Sequence, residues 1–353
     1  MSSHSIPIRG RGASYNPENR FEDGALIEYD QHEQTGEVPV SKTQLIRDDT
    51  KNVISFNKSP DIPFEAGLNP YRGCEHGCIY CFARSYHEYL GFSSGVDFES
   101  KIVVKYDAAS RLKQTLQSPK WKPQVIAMSG ITDIYQPIER KLKITRGCLE
   151  VLAEFRNPVG MITKNHLITR DIDLLKQLNE FNCVKVMISI TSLDKSLTEI
   201  MEPRTSRPVR RFKAIEELAK AGIPVGVNVA PIIPGLTDHE LVGILESSAR
   251  AGASYAGFTI IRFPYQVKDL FMKWLDDHFP DRKNKVFNKI KNMRNGKLNN
   301  NEFGKRNSGE GSYAQQIKDQ FALHTQRLGL NQRSFPLKTE HFIRTEGVQL
   351  DFF

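Results

Sequence analysis

From residue 122 onward the chain alternates between two hydrophobic patterns. Short, nearly continuous apolar runs ("KPQVIAMSGITD", "PVGMITKNH", "CVKVMISITS", "IPVGVNVAPIIPG", "YAGFTIIRFP") are separated by stretches with helical spacing ("RGCLEVLAEFRN", "IDLLKQLNEF", "PVRRFKAIEELAKAG", "DHELVGILESSARAG"). Runs that are apolar on both strand faces, alternating with amphipathic helices, predict a parallel sheet with right-handed crossovers. Five such strands fall between residues 122 and 265, and "GLNPYRG" followed by the helix-like "FARSYHEYLG" supplies a sixth unit. Six βα units are two short of a closed barrel, so the expectation is an α/β fold, an open partial (βα)6 barrel rather than a doubly wound sheet. On this reading residues 61–265 form the barrel. Residues 1–60 are a polar amino-terminal extension that wraps it or stays partly disordered, and residues 266–353 a helical, basic carboxyl-terminal region.

The carboxyl ends of the predicted strands carry "SGITD", "TKN", "SITS", "NVAPIIPG" and "RFP", small and polar residues where apolar ones would suffice for packing. In parallel α/β folds that end of the sheet forms the site. Composition adds little: 39% hydrophobic and 25% charged residues describe an ordinary globular chain. The first residues contain no apolar core of a signal peptide, and no stretch is apolar enough to span a bilayer, which predicts a cytoplasmic protein with no membrane partner. The net charge of +8 is unevenly placed, with nine basic residues against two acidic ones between Asp281 and Arg306. That stretch reads equally as a nucleic-acid contact surface or as a solvated helix face and loop.

Three of the five cysteines, Cys74, Cys78 and Cys81, lie within eight positions in the stretch "NPYRGCEHGCIYCFAR". In a reducing compartment this uneven grouping points to metal or redox chemistry rather than disulfides. A four-iron cluster takes four thiolates; three leave one iron open to substrate or cofactor. Gly73 and Gly77 let the loop fold tightly around such a group. The rival is zinc, with His76 or a distant residue as fourth ligand, but the spacing differs from the paired C-x2-C of structural zinc sites, and His76 reads better as a supporting donor or surface residue. Cys183, in an apolar run, reads as a small buried hydrophobe, and Cys148 as part of a helix face outside the barrel.

C-x3-C-x2-C with an aromatic residue, Tyr80, before the third cysteine resembles the radical S-adenosylmethionine (radical SAM) superfamily, over roughly residues 65–265. "NPYRGCEHGCIYCFAR" is similar to the branch that contains spore photoproduct lyase. "RGRGASYNPENRFE" and "GEGSYAQQI" resemble an uncharacterised group of that branch, often labelled DNA repair photolyases by relatedness. The resemblance implies a TIM-like partial barrel of the radical SAM type, a [4Fe-4S] cluster on Cys74, Cys78 and Cys81, and S-adenosylmethionine chelated to the open iron. An electron from a donor such as flavodoxin or ferredoxin would cleave the sulfonium, and the resulting 5'-deoxyadenosyl radical would take a hydrogen atom from substrate. The protein supplies position and exclusion of water.

By the same resemblance "SGITD" occupies the place of the glycine-rich motif whose carbonyls receive the methionyl amine, with Gly130 allowing close backbone approach and Thr132 beside it. Ser129 and Lys164 match positions that contact the SAM carboxylate, and a lysine suits a carboxylate as a point charge. Ser189 and Thr191, on one side of their strand, would meet the ribose hydroxyls. Phe82 matches an aromatic near the adenine, and Asn228 either contacts the adenine or only packs in its strand. Asp133 and Arg204 are site residues or members of a salt bridge or helix cap.

Two substrate classes remain open. Nucleic-acid repair or modification follows from the resemblance and the basic stretch. However, the lyase returns a hydrogen atom through an additional cysteine, and around Val125 "QVIAMSG" has none. The alternative is a radical SAM enzyme acting on a peptide or small metabolite; no further cysteine cluster follows the barrel. A non-catalytic nucleic-acid-binding protein with a structural metal is the third reading.

Overall fold

A computed structural model describes residues 8–21, 42–300 and 302–344; the remaining parts of the predicted flanks, 1–7, 22–41, 301 and 345–353, lie outside it. In chain order the strands are β1 (Gln44–Arg47), β2 (Ile54–Phe56), β3 (Ala66–Leu68), β4 (Tyr71–Arg72), β5 (Lys101–Val104), β6 (Ile126–Met128), β7 (Val159–Thr163), β8 (Val184–Ile190), β9 (Val225–Ile232) and β10 (Tyr255–Ile260). The larger sheet has seven strands in the order β10-β9-β8-β7-β6-β3-β2. From β3 to β10 all neighbours are parallel, and β2 pairs antiparallel with β3 at the edge. Each parallel strand therefore lies next to its predecessor in the predicted series, as short βα connections favour.

The alternating burial of β7 and β8 shows why the apolar runs were not uniform strands. Val159, Met161 and Thr163 of β7, and Val184, Val186 and Ile188 of β8, are buried, while Gly160, Ile162, Lys185 and Met187 between them are partly exposed. The buried set packs with helices Ile144–Phe155, Ile172–Glu180, Pro208–Lys220 and Leu241–Arg250, whose apolar stripes contribute Leu149, Leu152, Leu175, Leu178, Ile215, Leu218, Ile244 and Leu245 to one continuous core. The partly exposed set faces the other way.

The first predicted unit differs in detail. Within "GLNPYRG" the chain leaves the large sheet after Leu68, and β4 pairs instead with β5 in a second sheet, ordered β1-β5-β4. "FARSYHEYL" is a 3-10 helix over Phe82–Leu90 rather than an α-helix. The basic stretch begins as a helix, Pro280–Asn292, that buries Val286, Phe287 and Ile290; a further helix, Gly311–Arg327, follows the turns of 302–310. No helix of the described residues is long and apolar enough to cross a membrane.

Candidate functional site

The cysteine loop is built by backbone hydrogen bonds and two buried carboxylates. Cys74 N donates to Phe98 O at 2.8 Å and Cys81 N to Cys78 O at 3.2 Å. Gly77 sits at φ 68°, where an added Cβ would lie 2.7 Å from Glu99 Oε2, so the loop tolerates only glycine there. Glu99 is fully buried; it pairs with Arg84, itself fully buried, and accepts from Gly12 N and Ala13 N, both at 2.9 Å. Arg84 also donates to Cys78 O at 3.0 Å. Glu75, the residue after Cys74, accepts from Arg204 at 3.0 Å, from Thr43 at 2.8 Å and from Ile138 N at 2.6 Å. Arg204 is thus held in a salt bridge.

All three thiols are free of disulfides, Cys74 and Cys78 buried and Cys81 partly so. Burial pushes the Cys78 thiol up, with Glu202 and the other two sulfurs adding to it and Lys164 opposing; burial and Cys74 likewise raise Cys81. The Cys78 and Cys81 thiols therefore hold their protons until a cation arrives to exchange for them.

His76 is 1% exposed. The Asn165 amide nitrogen lies 3.2 Å from His76 Nε2, and Asp133 Oδ2 lies 3.3 Å from Nδ1. Burial opposes protonation of the imidazole, but Asp133 and then Cys74 raise its pKa to about 9, so His76 pairs with Asp133 as a cation and braces the cysteine loop. Asp133 also accepts from Thr163 Oγ1 at 2.7 Å and Lys164 N at 2.8 Å, fixing the end of β7. Burial opposes its ionisation, but His76 and these donors hold the carboxyl down at about 2.

The strand register brings the predicted polar residues into one row. Ser189 is the lateral partner of Asn228, and Asn228 of Gly257; Thr163 pairs with Ile188, which sets Lys164 beside Ser189. The Lys164 ammonium lies 5.8 Å over the Tyr80 ring and makes no ion pair among the described residues. Across the next strand end, Asn69 Oδ1 accepts from Gly130 N at 3.0 Å and Ile131 N at 3.1 Å, pinning "SGITD". Ser129 takes φ 86°, unusual for a residue with a Cβ. An added Cβ at Gly130 would meet nothing closer than the Asn69 amide at 3.6 Å, so the fold itself leaves space over that backbone. Phe82 is 36% exposed, with the Arg262 guanidinium 4.4 Å over its ring.

Two predicted residues spend their hydroxyls inside the protein. Thr132 Oγ1 donates to Gly73 O at 2.6 Å. Thr191 Oγ1 lies 2.6 Å from Glu202 Oε1 and 2.9 Å from Ala230 O. Glu202 was missed from sequence. Fully buried, it pairs with Arg211 and accepts from Tyr80 OH, tying the aromatic of the cysteine motif to β8. Burial alone would raise its carboxyl, but Arg211 first, then Lys164, Thr191 and Tyr80, hold it at about 2. The one available signal was its place two residues before Arg204 in "MEPRTS". Cys148 is buried in the core helix Ile144–Phe155. Cys183 precedes β8 at its amino end, about 20 Å of strand from Ser189. Neither belongs to the rim.

The model of the radical SAM superfamily matches residues 68–247. An uncharacterized protein of Mycobacterium tuberculosis is 34% identical over 232 residues, 64% of this chain and 68% of that one. Among solved structures, a mutant of spore photoproduct lyase superposes with a TM-score of 0.58 at 19% identity, covering 81% of this chain and 80% of its own. Another mutant of that lyase, with bound AdoMet and dinucleoside spore photoproduct, gives 0.57 at 18% identity with the same coverage.

Proposed function

Because the chain belongs to the radical SAM superfamily, we propose that it is an enzyme whose Cys74, Cys78 and Cys81 hold a [4Fe-4S] cluster at the mouth of a partial (βα)6 barrel, with S-adenosylmethionine bound along the strand ends. The observation that carries this reading is the gathering at one carboxyl-terminal rim of three free thiols and an ammonium that makes no ion pair among the described residues. With His76 paired to Asp133, the three thiols suit separate irons of a cluster better than one zinc.

Bound together, the cluster and S-adenosylmethionine supply one-electron cleavage of the sulfonium and hydrogen-atom abstraction from a substrate. The chain's own residues position and enclose. Lys164 offers a point charge to the methionyl carboxylate, with Ser129 at the neighbouring strand end. The open backbone at Gly130 admits the amine. Ser189, whose hydroxyl has no partner among the described residues, and Asn228 in the same row face the ribose and adenine, and Phe82 offers a ring to the base. Thr132 and Thr191 act as positioning residues, the first holding the cysteine loop, the second Glu202.

For the substrate we favour nucleic acid, modified or repaired, with flavodoxin or ferredoxin as electron donor. The fold shared with spore photoproduct lyase supports it. Since Cys148 and Cys183 lie off the rim, a repair reaction here would return its hydrogen atom from another group. A peptide or small metabolite is the alternative. Electron paramagnetic resonance of the reconstituted, dithionite-reduced protein tests the cofactor reading: a reduced-cluster signal that changes on adding S-adenosylmethionine is expected, and a reduced cluster indifferent to it would refute an open iron at this rim.

A further inference from the structure

Among the described residues, two guanidinium groups beside the candidate site make no ion pair. Arg262, two residues beyond β10, is partly buried against Phe82 and makes no hydrogen bond or ion pair among the described residues. Arg294, 1% exposed, gives Nη2 to Ile261 O at 2.5 Å, while its Nε and Nη1 have no partner. Burial and Arg262 lower the Arg294 pKa to about 10; burial, then Arg306, lowers that of Arg262. Arg306 is itself committed to Asp61 and to Ser59 Oγ at 2.7 Å, so the group keeps an excess of positive charge. Buried cations with unmade donors weaken a fold, and nothing in the packing requires two of them together. An anion placed against Arg262 would offset both.

The surface around Arg262 identifies the anion. Tyr86, 47% exposed, lies on the same 3-10 helix as Phe82 and 6.4 Å from the ring of Tyr89, which is 64% exposed. The Phe21 ring lies tilted 4.8 Å from Tyr89, and the Arg20 guanidinium, itself paired with Glu88 at 2.8 Å, lies 3.7 Å over Tyr265 and 5.6 Å from the Tyr89 ring. Exposed rings interleaved with guanidiniums are unusual on a surface that only meets water. They are what a single nucleic-acid strand uses, its bases on the rings and its backbone on the cations.

We propose that Arg262, backed by Arg294, seats a phosphodiester of a single-stranded or locally opened nucleic-acid substrate, with neighbouring bases on Tyr86, Tyr89 and Tyr265. This deepens the nucleic-acid reading and rests on it for the reaction: Arg262 abuts Phe82, directly after Cys81, so the seated phosphate fixes which nucleotide lies over the site. In the basic helix Pro280–Asn292, Lys283 and Lys289 are paired with Asp276 and Asp238; its other cations, Arg282 among them, are the competing seat that the test compares.

The test is anisotropy of a fluorescein-labelled eight-nucleotide single-stranded DNA with the full-length, reconstituted protein, titrated at several salt concentrations. Arg262→Gln should weaken binding at least about tenfold and reduce the salt slope by about one, the signature of one lost phosphate contact. Arg262→Lys should lose less and keep the slope, and Tyr89→Ala should weaken binding about fivefold or more through lost stacking. Arg282→Gln, on the exposed face of the basic helix, should change it less than about twofold, within the range of a surface charge. No binding by the wild type, unchanged binding by Arg262→Gln, or a larger loss at Arg282 would overturn the seat. Competition by hexaglutamate as effective as by unlabelled DNA would overturn the assignment to nucleic acid. Assaying 5'-deoxyadenosine in the same wild-type sample separates the two readings: DNA binding through Arg262 without SAM cleavage leaves the seat and removes the radical enzyme, whereas SAM cleavage without DNA binding does the reverse.

Discussion

At the scale of single residues, Lys164 is the side chain that packing explains least. Its ammonium sits at a partly buried strand end with no carboxylate in salt-bridge reach among the described residues, close enough to Cys78 and Glu202 to lower both. On the proposed reading, the carboxylate of S-adenosylmethionine is its partner. Lys164→Met keeps the length and removes the charge; it should raise the Kd for S-adenosylmethionine by about 10- to 100-fold, the range of a charged hydrogen bond, while leaving iron content unchanged. Equilibrium dialysis with labelled S-adenosylmethionine reads the first, and iron analysis the second. The polar positions Lys164, Ser189 and Asn228 were legible in the sequence as breaks in apolar runs, and the strand register sets them in one row. The sequence could not show that Thr132 and Thr191 are spent on Gly73 and Glu202, since a side chain's partner depends on elements far away in the chain.

At the scale of elements, the amino-terminal segment and the cysteine loop behave as one unit. An added Cβ at Gly12 would lie 1.9 Å from Gly77 O, a backbone atom between Cys74 and Cys78, so the segment runs directly against the loop. Gly12→Ala must push the loop or the segment away. The expected result is a protein that melts as one folded species yet retains less than about half the iron and sulfide per chain after reconstitution, as for loss of supporting contacts around a metal site. Full iron content in Gly12→Ala would show the contact to be unimportant. Periodicity was silent about this segment because it docks through irregular backbone contacts, Gly12 N and Ala13 N on Glu99 and Tyr15 O on Val96 N, which leave no 2.0 or 3.6 repeat to read. The same limit hid β5, and the helix Ala108–Gln117 was missed as well, whereas the four helices that alternate with β6 to β10 were legible from their apolar stripes.

At the scale of the whole molecule, buried charge sets how the fold responds to acid. The ordinary value for Glu202 is 4.5 and the folded value about 2, so its contribution to stability is present above pH 4.5 and is lost as pH falls from there toward 2. Asp133 works in the same direction, from 3.8 to about 2. Denaturation of the apoprotein should therefore become easier between pH 5 and pH 3, and the decline should be shallower in Glu202→Gln, whose stability at pH 7 is already lower by about 3–5 kcal/mol because Arg211 is left unpaired. A parallel decline in the two proteins would contradict the role given to the Glu202–Arg211 pair.

The measurement that bears most directly on the account is 5'-deoxyadenosine production by the anaerobically reconstituted wild-type protein and by Cys78→Ala, each incubated with dithionite and S-adenosylmethionine and followed by chromatography. The account predicts 5'-deoxyadenosine from the wild type and, because Cys78 is one of only three thiolates, neither a full cluster nor product from Cys78→Ala. Intact S-adenosylmethionine with a fully reduced wild-type cluster, or product formation undiminished in Cys78→Ala, would contradict it.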